Sequence, residues 1–235
     1  MVVMTAARRG RPGREGEAGG RERILSAATE VFAEKGFGET RVDEVAARAG
    51  VNKAMLYYHV GGKEELYAAV VSRVLDGVLS RLAERLPQAA SPEERFRTLV
   101  ATVGRAARGT PHFPRLILRE VASGGEHLPP EVLRKIAGVF GAFRRVLDDG
   151  RAAGAFRPAD PLLTHFLVGG SLLFLAASGP LRDRLAALEP RAGSDPSSAG
   201  PEAVADLFLD GLARPPRRAR TPQTGRTARP KGAPR

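Results

Sequence analysis

The sequence predicts an all-α fold, a small N-terminal three-helix head followed by a larger helical body. Three observations predict it. Apolar residues recur at spacings of three and four through most of residues 21–212. Strand-type alternation of apolar and polar residues appears nowhere. Start and stop signals divide the chain at helical lengths. The 235 residues, 43% of them hydrophobic, suffice for one such head and one such body.

The elements follow in order. From Arg21, residues Ile24, Leu25, Ala28, Val31 and Phe32 form one stripe. Lys35-Gly36 ends this helix, with Gly36 able to take the left-handed cap position. A second helix starts after Thr40, placed to cap it with Asp43 three residues on, and runs through Val42, Val45, Ala46 and Ala49. Gly50-Val51 makes a tight turn, a third short helix covers Lys53 to His59, and Gly61-Gly62 breaks it. A long helix runs from Lys63 to Leu86 and stops at Pro87, spanning about 36 Å. In the body, Ser91-Pro92-Glu93-Glu94 is a capping box with proline at the first helical position, opening a helix to Arg108. Helices over Pro111–Ser123 and Pro130–Arg151 follow, then a loop from Gly154 to Asp160. Leu162–Ser178, Leu181–Leu188 and Glu202–Leu212 complete the set, the last two flanking a polar loop over 190–200.

The net charge of +11 sits mainly at the ends. Residues 1–20 carry +2 and residues 214–235 carry +8, which leaves +1 for 21–213. Both ends are rich in Arg with Gly or Pro and are expected to be disordered. Such ends suit a polyanion, nucleic acid being the commonest, with a solubilising tail as the alternative. The absence of cysteine excludes disulfides and thiolate zinc sites. Residues 1–20 hold no long apolar run, so no secretory signal is expected and the location expected is cytoplasmic. Pro161 to Leu181 is uncharged and long enough to suggest a membrane span. Thr164, His165, Ser171, Ser178 and three glycines argue against that, and no membrane partner is expected. A helix apolar all round is equally expected when its own core covers one side and a partner subunit the other. Phe166, Gly169, Gly170 and Leu173, with Phe208 and Leu212, are the residues expected at such a homodimer interface.

Arg41 to His59 has the layout of a helix-turn-helix. Val42, Val45, Ala46, Val51 and Leu56 are apolar anchors around the Gly50-Val51 turn. In this motif the second helix enters the major groove and the first crosses the backbone. The second helix here exposes Asn52, Lys53, Tyr57 and His59, donors suited to phosphates or base edges, with Tyr58 among them.

Two stretches make the match specific. Ile24-Leu25-x-Ala27-Ala28-x-x-Val31-Phe32-Ala33-Glu34-Lys35-Gly36-Phe37 resembles the first helix of the TetR (tetracycline-repressor) family. Val45-Ala46-x-x-Ala49-Gly50-Val51-Asn52-Lys53-Ala54-Met55-Leu56-Tyr57-Tyr58-His59-Val60-x-x-Lys63-Glu64-Glu65-Leu66 is similar to the rest of the family's head signature. The body resembles the family in helix layout and in the loop Gly154 to Pro161. The resemblance implies that Tyr57 and Lys63 hold phosphates, with the start of the long helix adding a favourable dipole at Lys63. It implies a phosphate contact for His59 and base-edge positions for Lys53, Ala54 and Met55. Thr40 is similarly placed to touch backbone phosphate. Arg41 departs from the pattern, standing where a second Ser or Thr is common. Asp43 departs too, standing where some members have a base-reading Arg, and is expected to serve the cap. The head, 21–67, sums to −1, so affinity must come from focused contacts and from the arms. In the N-terminal arm, Arg9-Gly10-Arg11-Pro12 resembles the core of an AT-hook, which would lay Arg9 and Arg11 into a narrow minor groove. A generic basic arm is the alternative.

The organisation expected is a basic arm over 1–20, a DNA-binding head over 21–67, a ligand-binding and dimerisation body over 68–213 and a basic tail over 214–235. The function expected is a homodimeric, sequence-specific regulator binding a double-stranded DNA operator, a repressor released by a small-molecule effector. A ligand-independent architectural DNA-binding protein is the alternative. For the effector, Phe96, Leu99, Val103, Phe113, Leu116, Ile117, Phe140 and Phe143 lie on inward stripes of three consecutive helices, punctuated by Gly104, Gly138 and Gly141. Small residues between rings leave room for a guest. Glu120, His112 and His165 are the polar candidates there, so the ligand expected is mostly apolar with one or two polar handles, not a sugar or a phosphate. For Glu120 a salt bridge to Arg144 or Arg145 is the plainer reading. His112, His127 and His165 lack metal-ligand spacing, and no metal or cofactor is expected. The sequence has no phosphate loop, nucleotide fingerprint, serine elbow or paired-carboxylate constellation, so no enzyme is expected.

Overall fold

Local signals place most helix ends where the computed structural model has them. It describes residues 14–188 and 200–212. The helices are α1 (Arg14–Glu39), α2 (Val42–Ala49), α3 (Lys53–Val60), α4 (Lys63–Arg85), α5 (Pro92–Gly109), α6 (Phe113–Ala122), α7 (Pro130–Ala152), α8 (Pro161–Ala177), α9 (Gly179–Leu188) and α10 (Pro201–Leu212). Arg9 and Arg11, with the tail from residue 213, lie outside the described residues.

Four local expectations need correction. Helix α1 begins at Arg14, not Arg21, so residues 14–20 are helical rather than part of an arm. Gly36 does interrupt α1, but at φ 81°, ψ 175° it is not in the left-handed helical well. That mirror-extended conformation is open to glycine and costly for other residues. Thr40 does not cap α2. Its hydroxyl donates to the Gly36 carbonyl at 2.7 Å, the residue is 2% exposed, and Arg41 takes the N-cap position without a side-chain bond. Asp43 does not serve the cap either; it pairs with Lys53 at 2.8 Å.

One continuous apolar core joins head and body. Helix α4 is the shared element: Leu66 and Val70 are buried with the α1 residues Leu25, Ala28 and Phe32, and Val78 and Leu82 with α5 and α7. Exposed ion pairs trim the seams, Lys135 to Asp76 at 2.7 Å and Arg95 to Asp149 at 3.1 Å, each contributing about 0–1 kcal/mol. Ser91 caps α5 by accepting from the Glu94 amide at 3.1 Å, and Glu94 accepts in return from the Ser91 amide at 3.3 Å.

Helix α8 is two-faced. Thr164, Val168 and Leu172 point into the chain's own core, while Leu163, Phe166, Leu167 and Phe174 are exposed, Phe166 by 61%. Leu181, Leu185 and Leu188 of α9 and Leu207 of α10 are exposed too. A side chain at Gly169 or Gly170 would meet open space. Leu173 and Phe208 are half-buried. Leu212 departs from the interface expectation: it is buried in the chain's own core, and its carbonyl accepts from the Arg157 amide at 3.0 Å. Among the described residues no single helix is long and apolar enough to cross a membrane; α8 and α9 reach that length and composition only together, bent by 69°.

Candidate nucleic-acid interface

The head presents α3 by anchoring both of its ends. Gly50 closes α2 in the left-handed conformation, φ 65° and ψ 36°, with its amide donating to Ala46 and Ala47. The Asn52 side chain accepts from the Met55 amide at 2.7 Å and caps α3. Leu56, fully buried, pins the helix to the core, a contact worth about 2–5 kcal/mol against truncation to alanine. The opposite face is then free: Lys53, Ala54, Met55, Tyr57 and Tyr58 are exposed, Tyr58 by 78%. Rings this open on a short helix are what a docking surface presents. His59 is half-buried, its ring edge-on to Tyr58, and its Nε2 would lie 3.5 Å from a Cβ at Gly20.

Charge in the head is sorted by face. Arg48 bonds Glu34 at 2.9 Å and approaches Glu30 and Glu44, while Lys35 bonds Glu44 at 2.7 Å. The hydrogen bond and charge of Arg48 lower the Glu34 pKa. These pairs lock α1 to α2 and neutralise that side. Arg41 stays exposed at the start of α2. The Asp43 hydrogen bond raises the Lys53 pKa, so Lys53 stays cationic while its direction is set. Lys63 opens α4, donates to the Gly38 carbonyl at 2.9 Å and lies 4.6 Å over the Phe37 ring. It therefore ties the α1–α2 connection to α4, leaving its other two N–H donors for an anion. Thr40 has given its one proton to Gly36, so the hydroxyl has none left for a phosphate.

The described clefts do not gather the expected effector residues together: Leu116 and Glu120 line one and His112 lines two others. Phe96, Leu99, Phe113, Leu116 and Phe143 are buried in the core, Val103 and Ile117 pack at its margin, and Phe140 is half-buried beside His165. Two of the three glycine gaps are filled from elsewhere in the chain, and the Cβ position of Gly141 has only the Arg145 guanidinium, at 3.6 Å. A Cβ at Gly104 would overlap the Pro201 ring of α10, and one at Gly138 would press on Leu79 at 3.1 Å. His165 sits among Phe140, Phe143 and Phe166, with its Nδ1 buried and unpartnered, and burial lowers its pKa.

Glu120 does not pair with Arg144 or Arg145. It is 3% exposed, accepts from the Tyr67 hydroxyl at 2.7 Å and the His127 amide at 2.9 Å, and lies 3.1 Å from His127 Nδ1. Burial first, then the bond to Glu120, pushes the Tyr67 phenol well above its ordinary range, so it stays a donor. Phe37 stacks on His127 at 4.3 Å. A cleft of about 380 Å³ opens here, lined by Phe32, Phe37, Tyr67, Leu116, Glu120 and His127 among others. Tyr67 and Phe37 were not marked by the sequence, because Tyr67 meets Glu120 53 positions away and Phe37 meets a ring, His127, of another element; His127 itself reaches Glu120 across only 7 positions. His112 lines two further clefts and is the non-glycine residue with positive φ among the described residues, φ 64°.

Comparison with known proteins agrees with this geometry. Residues 24–70 match the family described as bacterial regulatory proteins, tetR family, and residues 92–190 match the tetracyclin repressor-like C-terminal domain. The transcriptional repressor NicS of Pseudomonas putida is 31% identical over 157 residues, 66% of this chain and 74% of that protein. The TetR-family regulator PfmR of Thermus thermophilus aligns with TM-score 0.59 and 28% identity, covering 81% of this chain and 93% of that one. FadR of Bacillus subtilis, solved with stearoyl-CoA, aligns with TM-score 0.62 and 18% identity, covering 81% and 98%. The chain belongs to the TetR family of bacterial transcriptional regulators.

Proposed function

We propose that this chain is a homodimeric repressor that binds a double-stranded DNA operator through residues 21–67 and is released by a small, largely apolar effector held where the head meets the body, residues 68–213. The observation that carries the DNA reading is α3: pinned by Leu56, capped by Asn52 and exposing Lys53, Tyr57 and Tyr58 on one face. Tyr57, His59 and Lys63 take the phosphate contacts, and Lys53, Ala54 and Met55 face base edges. The described relative NicS is a repressor by name, which supports that sign of regulation. The unpartnered faces of α8, α9 and α10 support a second copy of the chain as the dimer partner.

The effector reading rests on the Glu120 cleft, where aromatic walls surround one buried carboxyl group. Its walls belong to α1, α4 and α6, so an occupant would act on head and body together. A neighbour in fold, FadR, carries stearoyl-CoA. The two basic ends favour a second reading, an architectural DNA-binding protein, since +2 and +8 suffice for sequence-independent attraction.

The two readings separate on Lys53→Ala. Base reading predicts a loss of about 1–3 kcal/mol on operator DNA and a much smaller one on scrambled DNA of equal length. Fluorescence anisotropy at fixed salt measures both. Equal losses on the two sequences would favour the architectural reading.

A further inference from the structure

A larger cleft, about 760 Å³, lies where α1, α4 and α5 meet, and its chemistry is opposite to that of the Glu120 cleft. Four arginines line it: Arg73, Arg81 and Arg85 from α4, and Arg105 from α5. The acids of its lining are Glu22 and Glu30 on α1, and both are engaged. Glu22 pairs with Arg73, and Glu30 approaches Arg48 at 3.8 Å. Arg81, Arg85 and Arg105 have no acid partner among the described residues. Arg81 and Arg85 stand one turn apart on one helix face, where like charges repel.

We propose that this cleft binds a compact polyanion, a diphosphate or a tricarboxylate, through Arg81, Arg85 and Arg105. Three features beyond charge support it. Guanidinium groups on two facing helices can fork onto the oxygens of one anion, which relieves their mutual repulsion and adds directed hydrogen bonds. Gly77 and Gly109 are in its lining, and an added Cβ at either would meet nothing within 4 Å. Residues 1–13 and 213–235, which lie outside the described residues, contain Arg and Lys and no acid. His112 closes one end of the cleft in its left-handed conformation, and such held backbone conformations cluster at ligand sites.

The α1 wall, with Ser26, belongs to the DNA-binding head, whereas α4 and α5 carry the arginines. A bound anion therefore bridges head and body and shifts operator affinity; this consequence, unlike the binding itself, rests on the regulator reading above.

Calorimetric titration of the full chain at fixed low salt, with pyrophosphate in one arm and citrate in the other, tests the site. The wild type is expected to bind at least one of them about tenfold or more tightly than the double variant Arg81→Ser, Arg105→Ser. Gly77→Leu keeps every charge, raises helix propensity and adds a bulky side chain to the lining, so it should also lose binding. The arm that binds distinguishes phosphate from carboxylate chemistry. No binding to the wild type in either arm overturns the proposal. So does equal binding by the double variant, since the basic ends would then be holding the anion. Operator affinity of each variant without anion, measured in parallel, separates a failed anion site from a failed regulator reading.

Discussion

At the scale of the residue, the head spends most of its ionic side chains on itself. Lys53 pairs with Asp43, Arg48 with Glu34, and Lys63 bonds Gly38 beneath its contact with Phe37. The phosphate contact proposed for Lys63 would come on top of this structural one, and Lys63→Ala should show both. The slope of log affinity against log salt should fall by about 1, and the loss should be uniform across DNA sequences. Tyr57→Phe, which keeps the ring and removes the donor, should weaken all sequences alike without changing the slope. Anisotropy at two salt concentrations checks both, and unchanged affinity in the two variants would remove the phosphate role. His165 makes a different prediction. Its ring is enclosed by Phe140, Phe143 and Phe166, and burial lowers its pKa in the folded chain. The unfolded chain therefore binds more protons than the folded one just below the ordinary histidine value of about 6.5. Stability is full above that value and is lost as pH falls toward the depressed one. His165→Phe should flatten this acid limb in urea melts taken on both sides of the ordinary value. Acid limbs of equal depth in both proteins would show that His165 does not set the dependence.

At the scale of the element, short-range chemistry was legible at most of the helix ends, the Thr40–Asp43 cap and the Gly36 conformation excepted, and long-range filling was not. The turn at Gly50-Val51 and the Ser91 capping box depend on neighbours within four residues, and the structure has each; the long helix, expected to reach Leu86 and stop at Pro87, ends at Arg85 and passes into a 3-10 turn over Leu86–Gln88. The start of α1 was misread because Gly19 and Gly20 lower helix propensity, whereas Gly20 is in fact buried. The expected effector residues are spread over several places for a deeper reason. A glycine between rings looks like vacant space, but Gly104 is filled by Pro201, nearly a hundred residues away. Likewise Glu120 finds Tyr67 and His127, not the arginines of α7. Composition names the residues that meet in a core; only packing says what fills each gap. Helix α8 offers the cleanest test at this scale. Gly170 faces open space within its own chain, so Gly170→Leu has no internal clash to relieve. Any loss of assembly then reports a partner helix. Light scattering should show a dimer for the wild type and monomer or aggregate for Gly170→Leu; a wild-type monomer of ordinary stability would end the dimer reading.

At the scale of the molecule, α4 is the member shared by everything. It carries Lys63 at the DNA end, Tyr67 in the Glu120 cleft and Arg81 and Arg85 in the polyanion cleft, along about 35 Å. Both clefts have α1 as one wall. A ligand that favours one placement of α1 against α4 by about 1.4 kcal/mol changes operator affinity tenfold, so modest binding suffices for regulation. In a two-fold dimer the two α3 helices would read half-sites related by the same symmetry. Footprinting of the purified full chain on the DNA flanking its own coding region tests this account most directly. The result expected is one protected segment of two half-sites in inverted repeat, with protection abolished by joint replacement of Lys53 and Tyr57 by alanine. Protection that spreads evenly over the DNA, or survives that double replacement, would contradict it.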